Sequence, residues 1–154
     1  MQNADAVCEV QERPAQATMK VRRVASVQEI PAVVGAAYAT VMQSIAGQGA
    51  QAAGPPYVIY WNADMSALEM DLGFPVAQAL PGDGDVEPGE IPAGRWAVTV
   101  HVGPYPDLGK AYRALEEWTA ARGLQTTVSC EIYLNDPDEV APAELQTQVM
   151  YLLK

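Results

Sequence analysis

Residues 129–137 read SCEIYLNDP, which sets a glutamate and a tyrosine two apart in a run whose isoleucine, tyrosine and leucine suit a strand closed by Asn-Asp-Pro. Residues two apart on a strand share a face, so Glu131 and Tyr133 point one way while Cys130, Ile132 and Leu134 point the other. On a solvent face such a carboxylate is ordinary. In a hollow, loss of hydration makes it costly, and aromatic walls then give it two uses. It attracts a delocalised cation both by charge and through the ring faces, the second contribution being about 0.5–2 kcal/mol per ring. Burial also raises its pKa towards neutrality, which suits a general base for an attacking water, and a nearby tyrosine hydroxyl can donate to the oxyanion formed. Glu131 and Tyr133 are therefore the candidate catalytic pair as well as the first candidate ligand contacts.

Other chemistry-bearing residues have plainer readings. His101 is the single histidine. It alternates with Ala97 and Thr99, away from the face of Trp96, Val98 and Val100, and a structural hydrogen bond is the expected role. Cys8 and Cys130 belong to no CxxC pair and no cysteine–histidine cluster, so we read them as reduced thiols. The carboxylates of residues 83–87 sit among glycines and read as a solvated stretch rather than a metal site. Neither a metal nor a cofactor is expected.

The elements that must carry these residues follow from periodicity. Residues 6–11 and 17–24 read as short strands joined by the turn-like Arg13-Pro14-Ala15-Gln16, a possible hairpin. A helix then places Ile30, Val33, Val34, Ala37, Val41 and Ile45 at helical spacing. Ser26 and Glu29 have capping-box spacing, but Pro31 near the first turn favours a start there, and Gly47-Gln48-Gly49 ends the helix. Residues 57–61 and 67–72 are strands around Asn62-Ala63-Asp64, the second alternating Leu68, Met70 and Leu72 with Glu69 and Asp71. Residues 80–89 (LPGDGDVEPG) read as a linker. Beyond it the pattern begins again. Ile91-Pro92-Ala93-Gly94 echoes Arg13-Pro14-Ala15-Gln16, residues 95–102 repeat 17–24, and a second helix at about 106–122 carries Leu108, Ala111, Tyr112, Leu115 and Trp118 and stops at Gly123. Cys130-Glu131-Ile132-Tyr133-Leu134-Asn135 then matches Tyr57-Val58-Ile59-Tyr60-Trp61-Asn62, and residues 145–152 supply a last strand.

The expected fold is α+β: two pseudo-symmetric β-α-β-β repeats, about 6–76 and 91–153 with a linker at about 77–90, forming an antiparallel sheet in one domain over 1–154. Glu131 has Val58 as its counterpart, so the position tolerates an apolar side chain and the carboxylate occurs in one repeat only. If the two central strands face each other across a pseudo-two-fold axis, Glu131, Tyr133, Val58 and Tyr60 line a shared central cleft. Trp61, Trp96, Tyr112 and Tyr151 complete the candidate ligand-binding set. Each also has a packing reading: Trp61 and Trp96 as core or rim, Tyr112 on the helix's apolar stripe, Tyr151 on the final strand. Tyr105, in Gly-Pro-Tyr-Pro, reads as fixing the turn into the second helix.

These spaced segments resemble a known family. Ile91-Pro92-Ala93-Gly94-Arg95-Trp96, His101-Val102-Gly103-Pro104-Tyr105, the second helix, Glu131 to Pro137, and Asp71-Leu72-Gly73-Phe74-Pro75-Val76 together resemble the GyrI-like domains, which include the effector-binding domain of the multidrug regulator BmrR. The resemblance implies a stand-alone small-molecule-binding domain. Its Glu-x-Tyr carboxylate would lie in an aromatic pocket that takes hydrophobic or cationic aromatic compounds. Some stand-alone proteins of this kind are hydrolases that open the activated cyclopropane ring of DNA-alkylating natural products. The family name also implies a possible protein partner, gyrase or a regulator.

Composition narrows the classes. At 154 residues the chain suits one domain and can bury roughly two-thirds of its unfolded surface. Nine basic against nineteen acidic residues give a net charge of −10, which repels a polyanion, so no direct nucleic-acid partner is expected. No unbroken apolar run of about eighteen residues and no basic-then-apolar leader is present. No membrane association is expected, and we read the chain as cytoplasmic.

Overall fold

A computed structural model describes residues 7–154. In chain order its elements are β1 (Glu9–Arg13), β2 (Gln16–Ala25), α1 (Ile30–Gly47), β3 (Tyr57–Tyr60), β4 (Leu68–Pro75), β5 (Glu87–Ile91), β6 (Gly94–Val102), α2 (Leu108–Ala121), β7 (Thr126–Tyr133) and β8 (Gln146–Leu153). The β-α-β-β repeat is present twice, as β2-α1-β3-β4 and β6-α2-β7-β8, in an α+β architecture. The chain divides into two compact units, one contiguous (Pro14–Ala93), the other combining the segment that ends at Arg13 with Gly94–Lys154.

In the contiguous unit the strands run β3-β4-β2-β5, all neighbours antiparallel. Strict alternation gives the sheet two faces. Met19, Val21, Leu72 and Phe74 lie under α1, whose Ala37, Val41 and Ile45 are buried. By length and composition Val27–Gly47, which contains α1, is apolar enough to cross a membrane, yet here the buried side of α1 covers β2 and β4. The opposite face carries charge. Lys20 is buried with its ammonium 2.7 Å from Glu87 and 3.5 Å from the buried Asp71, and Arg22 also donates to Asp71. A buried charge needs such partners, because its lost hydration is recovered only through close opposite charge and hydrogen bonds.

In the second unit the order is β1-β6-β8-β7, again antiparallel, with a register shift in β7 between Thr126 and Ser129. Helix α2 lies on β6 and β8, packing Ala111 and Leu115 against Ala97, Val149 and Leu153, with Cys8, Val10 and Trp118 at the margin. The helix ends at Gly123, whose φ of 67° allows the Leu124 N–H to reach back to the Thr119 carbonyl at 3.0 Å.

Three expectations are corrected. The hairpin between residues 6–11 and 17–24 does not form: β1 pairs with β6, and β5, its counterpart before the second repeat, pairs with β2. Residue 6 lies outside the described residues. Pro14-Ala15 joins β1 to β2 and Pro92-Ala93 joins β5 to β6. A two-residue hairpin needs positive φ at its centre, whereas proline is held near −65°, so neither joint suits a tight hairpin. Residues 80–89 are not simply a linker either. Glu87–Gly89 opens β5, Val86 is buried, and Asp83 bridges Val86. The Ser26–Glu29 spacing is used after all, in a 3-10 turn at Val27–Glu29 where the Ser26 N–H donates to Glu29 at 2.9 Å. Helix α1 starts after it, with Pro31 in its first turn.

Gly73 tests how tightly β2 and β4 are matched, because a Cβ there would lie 1.9 Å from the Met19 carbonyl oxygen. Gly73→Ala is expected to destabilise the protein by about 3 kcal/mol or more, read as a lower urea midpoint, since neither backbone can move without breaking the ladder.

Candidate functional site

The site is built on the α2-covered face of the second unit. Strand pairing places Glu131 opposite Val149, Tyr133 opposite Thr147 and Ser129 opposite Tyr151, so these side chains share the face that Ala97, Thr99 and His101 extend onto β6. Glu131 is 5% exposed. Its two carboxylate oxygens are divided between two phenols: Tyr112, reaching across from α2, donates to Oε2 at 2.5 Å, and Tyr133, two residues along β7, donates to Oε1 at 2.7 Å. Among the described residues no lysine, arginine or histidine pairs with it. Burial raises its pKa above the ordinary carboxylate value, and the two phenolic hydrogen bonds pull it back in part.

An aromatic shell surrounds this core. The Tyr105 ring meets Tyr133 edge-on at 5.6 Å and 69°, and Tyr151 meets Tyr112 edge-on at 5.9 Å and 79°. Both geometries place a positive ring edge on a negative ring face. The Tyr151 hydroxyl is held by Glu116 at 2.6 Å, one helical turn beyond Tyr112, and burial together with that carboxylate raises the Tyr151 pKa. Burial first, then Asp136, raises that of Tyr105. Opposite Tyr133, the fully buried Thr147 hydroxyl has no hydrogen-bond partner among the described residues.

Of the residues singled out from sequence, Glu131, Tyr133, Tyr112 and Tyr151 come together. Trp96 does not. It is fully buried but one place out of phase with Ala97, so alternation puts it on the sheet face away from α2 and Glu131. Tyr60 and Trp61 cannot both line one cleft, because Tyr60 shares the α1 face of its sheet with Val58 while Trp61 points to the opposite side, 36% exposed beneath the Arg22 guanidinium at 6.0 Å. His101 has the structural role expected of it, its Nε2–H donating to the Pro104 carbonyl at 3.1 Å. The carboxylates at 83–87 are engaged inside their own unit, by Ser44 on Asp83, Arg23 on Asp85 and Lys20 on Glu87. No cluster of three or more His, Cys, Asp or Glu suited to a metal occurs among the described residues.

Sequence reasoning missed Tyr105, Glu116 and Thr147. Glu116 was legible, since it follows Tyr112 by four residues and so shares its helix face. The repeat also held an unused clue. Gly35-Ala36-Ala37-Tyr38 parallels Gly109-Lys110-Ala111-Tyr112, with Ala37 and Ala111 both buried. In the first repeat, where valine replaces the glutamate, the Tyr38 hydroxyl donates instead to the Tyr57 backbone carbonyl at 2.9 Å. The helix tyrosine is common to both repeats, and the carboxylate converts it into part of a site.

Residues 8–154 match the family described as the GyrI-like small molecule binding domain. The chain belongs to the GyrI-like family. The fold of this GyrI-like chain is similar to that of the EcmrR C-terminal domain (16% identity, TM-score 0.79, covering 97% of this chain and 98% of that one). It is also similar to SAV2435 bound to tetraphenylphosphonium (9%, 0.70, 96% and 94%) and to a hydrolase encoded by lin2189 from Listeria innocua (15%, 0.65, 96% and 91%). It spans 57% of the EcmrR chain seen in a cryo-EM complex with DNA, at 17% identity and a TM-score of 0.83. No curated protein matches the sequence.

The raised Glu131 pKa has a signed consequence. A carboxyl that binds its proton more tightly folded than unfolded makes folding take up protons, so its contribution is most favourable near and below the unfolded value of about 4.3 and declines as pH rises through the folded one. Denaturant unfolding of the wild type and of Glu131→Gln from pH 8 down to about 4.5 is expected to show the wild type gaining relative to the variant as pH falls. Tyr112→Phe, which leaves Oε2 without its donor, should cost about 1–3 kcal/mol at neutral pH.

Proposed function

We propose that this GyrI-like domain takes hydrophobic or cationic aromatic drug-like compounds against the Glu131 carboxylate, acting in the cytoplasm as a sensor or sequestering protein. The observation that carries this reading is a buried carboxylate whose hydrogen-bonding partners are phenols and whose charge meets no basic group among the described residues. An ion in that state lacks its counter-charge, and a flat or delocalised cation supplies it at little desolvation cost of its own. The rings of Tyr112 and Tyr133 are already held against the carboxylate, and each contributes about 0.5–2 kcal/mol towards such a cation with little ordering left to do. The tetraphenylphosphonium bound to SAV2435 is a ligand of this chemical kind.

A second reading is hydrolysis, with a cyclopropane-bearing genotoxin as the substrate class; the raised pKa favours it, and the Listeria neighbour is named a hydrolase. Glu131 would take a proton from water as the water oxygen bonds to a ring carbon. The strained C–C bond would break towards the conjugated carbonyl, and the resulting oxyanion would be met by the Tyr133 or Tyr112 hydroxyl. No metal or cofactor is needed for that balance.

Calorimetric titration with tetraphenylphosphonium tests the first reading. Glu131→Gln should weaken binding about tenfold to a hundredfold, corresponding to about 1.4–2.7 kcal/mol. For the wild type the affinity should fall as pH is lowered through the raised Glu131 pKa, with protons released on binding, whereas the variant should show neither effect. Equal affinity of both proteins at all pH values would remove the carboxylate from the site. Mass spectrometry of an activated cyclopropane compound incubated with the protein separates the two readings: a ring-opened product that disappears in Glu131→Gln establishes hydrolysis, and binding without product establishes capture alone.

A further inference from the structure

β1 and β5 occupy equivalent places before the two repeats, and each is the outer strand of its own unit's sheet. Their sequences treat that exposure differently. β5 reads EPGEI, and Pro88 removes a backbone N–H and fixes φ, which blunts an edge against any added strand. β1 reads EVQER and has neither proline nor glycine. Its side chains have a specific order instead. Glu9, Gln11 and Arg13 alternate onto the face away from α2, since they oppose Val98, Trp96 and Gly94 on β6. They form a prearranged row there: Gln11 Nε2 donates to Glu9 at 2.8 Å, and the Arg13 guanidinium donates to Gln11 Oε1 at 2.7 and 3.0 Å and to Gln148 at 3.1 Å. Neither Glu9 nor Arg13 has an ion-pair partner among the described residues.

Charges on an edge strand ordinarily keep other strands away. Here, however, the two charges have opposite sign and lie symmetrically about Gln11. An antiparallel copy of β1 laid along β1 with Gln11 on the two-fold axis puts Glu9 opposite Arg13 of the second copy and Arg13 opposite Glu9, with both rows on one face. Each copy thus provides the two charges that the other lacks. We propose that the β1 edge is a homodimer interface: two copies of this chain pair through β1 in an isologous antiparallel ladder centred on Gln11. The groove of about 320 Å³ beside this edge, whose lining includes Val7, Glu9, Gln11, Thr99 and Val100, leaves Val7 and Val100 exposed next to the joint, where side chains of the second copy can cover them.

Sedimentation velocity over a concentration series, with circular dichroism as a check on folding, tests this. The wild type should dimerise. Glu9→Arg should weaken the dimer about tenfold or more, because two symmetry-related pairs turn from attractive to repulsive, and Glu9→Arg with Arg13→Glu should restore it. Register is tested separately in a Cys8→Ser background. Directly opposed cross-strand Cβ atoms lie about 4.5–5.5 Å apart, so Gln11→Cys should cross-link to itself on mild oxidation while Glu12→Cys should not. A protein that stays monomeric throughout, or a dimer indifferent to the charge exchange and to the position of the cysteine, would overturn the proposal.

Discussion

The arrangement around Glu131 depends on a balance between desolvation and hydrogen bonding. Burial penalises the ionised carboxyl, and the two phenolic donors offset part of the penalty without neutralising the charge. A lysine or arginine in place of either tyrosine would have paired the carboxyl with an opposite charge as well as a hydrogen bond. Tyrosine donates a hydrogen bond without bringing a positive charge, and the rings that make the bonds also wall the carboxyl. Those rings are braced in turn, Tyr133 by Tyr105 and Tyr112 by Tyr151, with Glu116 holding the last hydroxyl. The site is thus preorganised from both α2 and β7, and misplacing either element would separate a phenol from its oxygen.

The contrast with the first repeat separates what both repeats share from what occurs only in the second. A helix tyrosine at the end of a Gly-x-Ala-Tyr run occurs in both, as does the buried alanine before it. In one repeat the hydroxyl satisfies a backbone carbonyl, an entirely structural task. In the other, where glutamate stands in place of valine, the hydroxyl donates to that side chain. The duplicated scaffold thus holds an apolar side chain at this position in one repeat and a carboxyl in the other, in a chain of a family described by small-molecule binding.

Periodicity and internal repetition made most of the fold legible. Both helices, the strand containing Glu131 and the shared face of Glu131 and Tyr133 follow from spacing alone, because periods of 3.6 and 2 are imposed by the backbone itself. What spacing could not supply was pairing over distance. β1 and β2 look like a hairpin because they are adjacent in sequence, and only the geometry of Pro14-Ala15 forbids the reversal. Trp96 takes the packing role that was its alternative reading: its phase relative to Ala97 puts it in the core on the sheet face away from Glu131. Thr147 carries no signal of its own, since an unpartnered hydroxyl is a property of its neighbours.

The exchange of outer strands also fixes an order of assembly during synthesis. The contiguous unit contains everything it needs once β5 has left the ribosome, since β5 adds directly to β2. The other unit contains β1, which precedes β2 to β5 in the chain, and that strand has no sheet to join until β6 appears much later. Local contacts form before distant ones because less chain entropy is lost in closing them. The half that carries the carboxylate is therefore the last to close, and until then β1 remains an unpaired strand in the nascent chain.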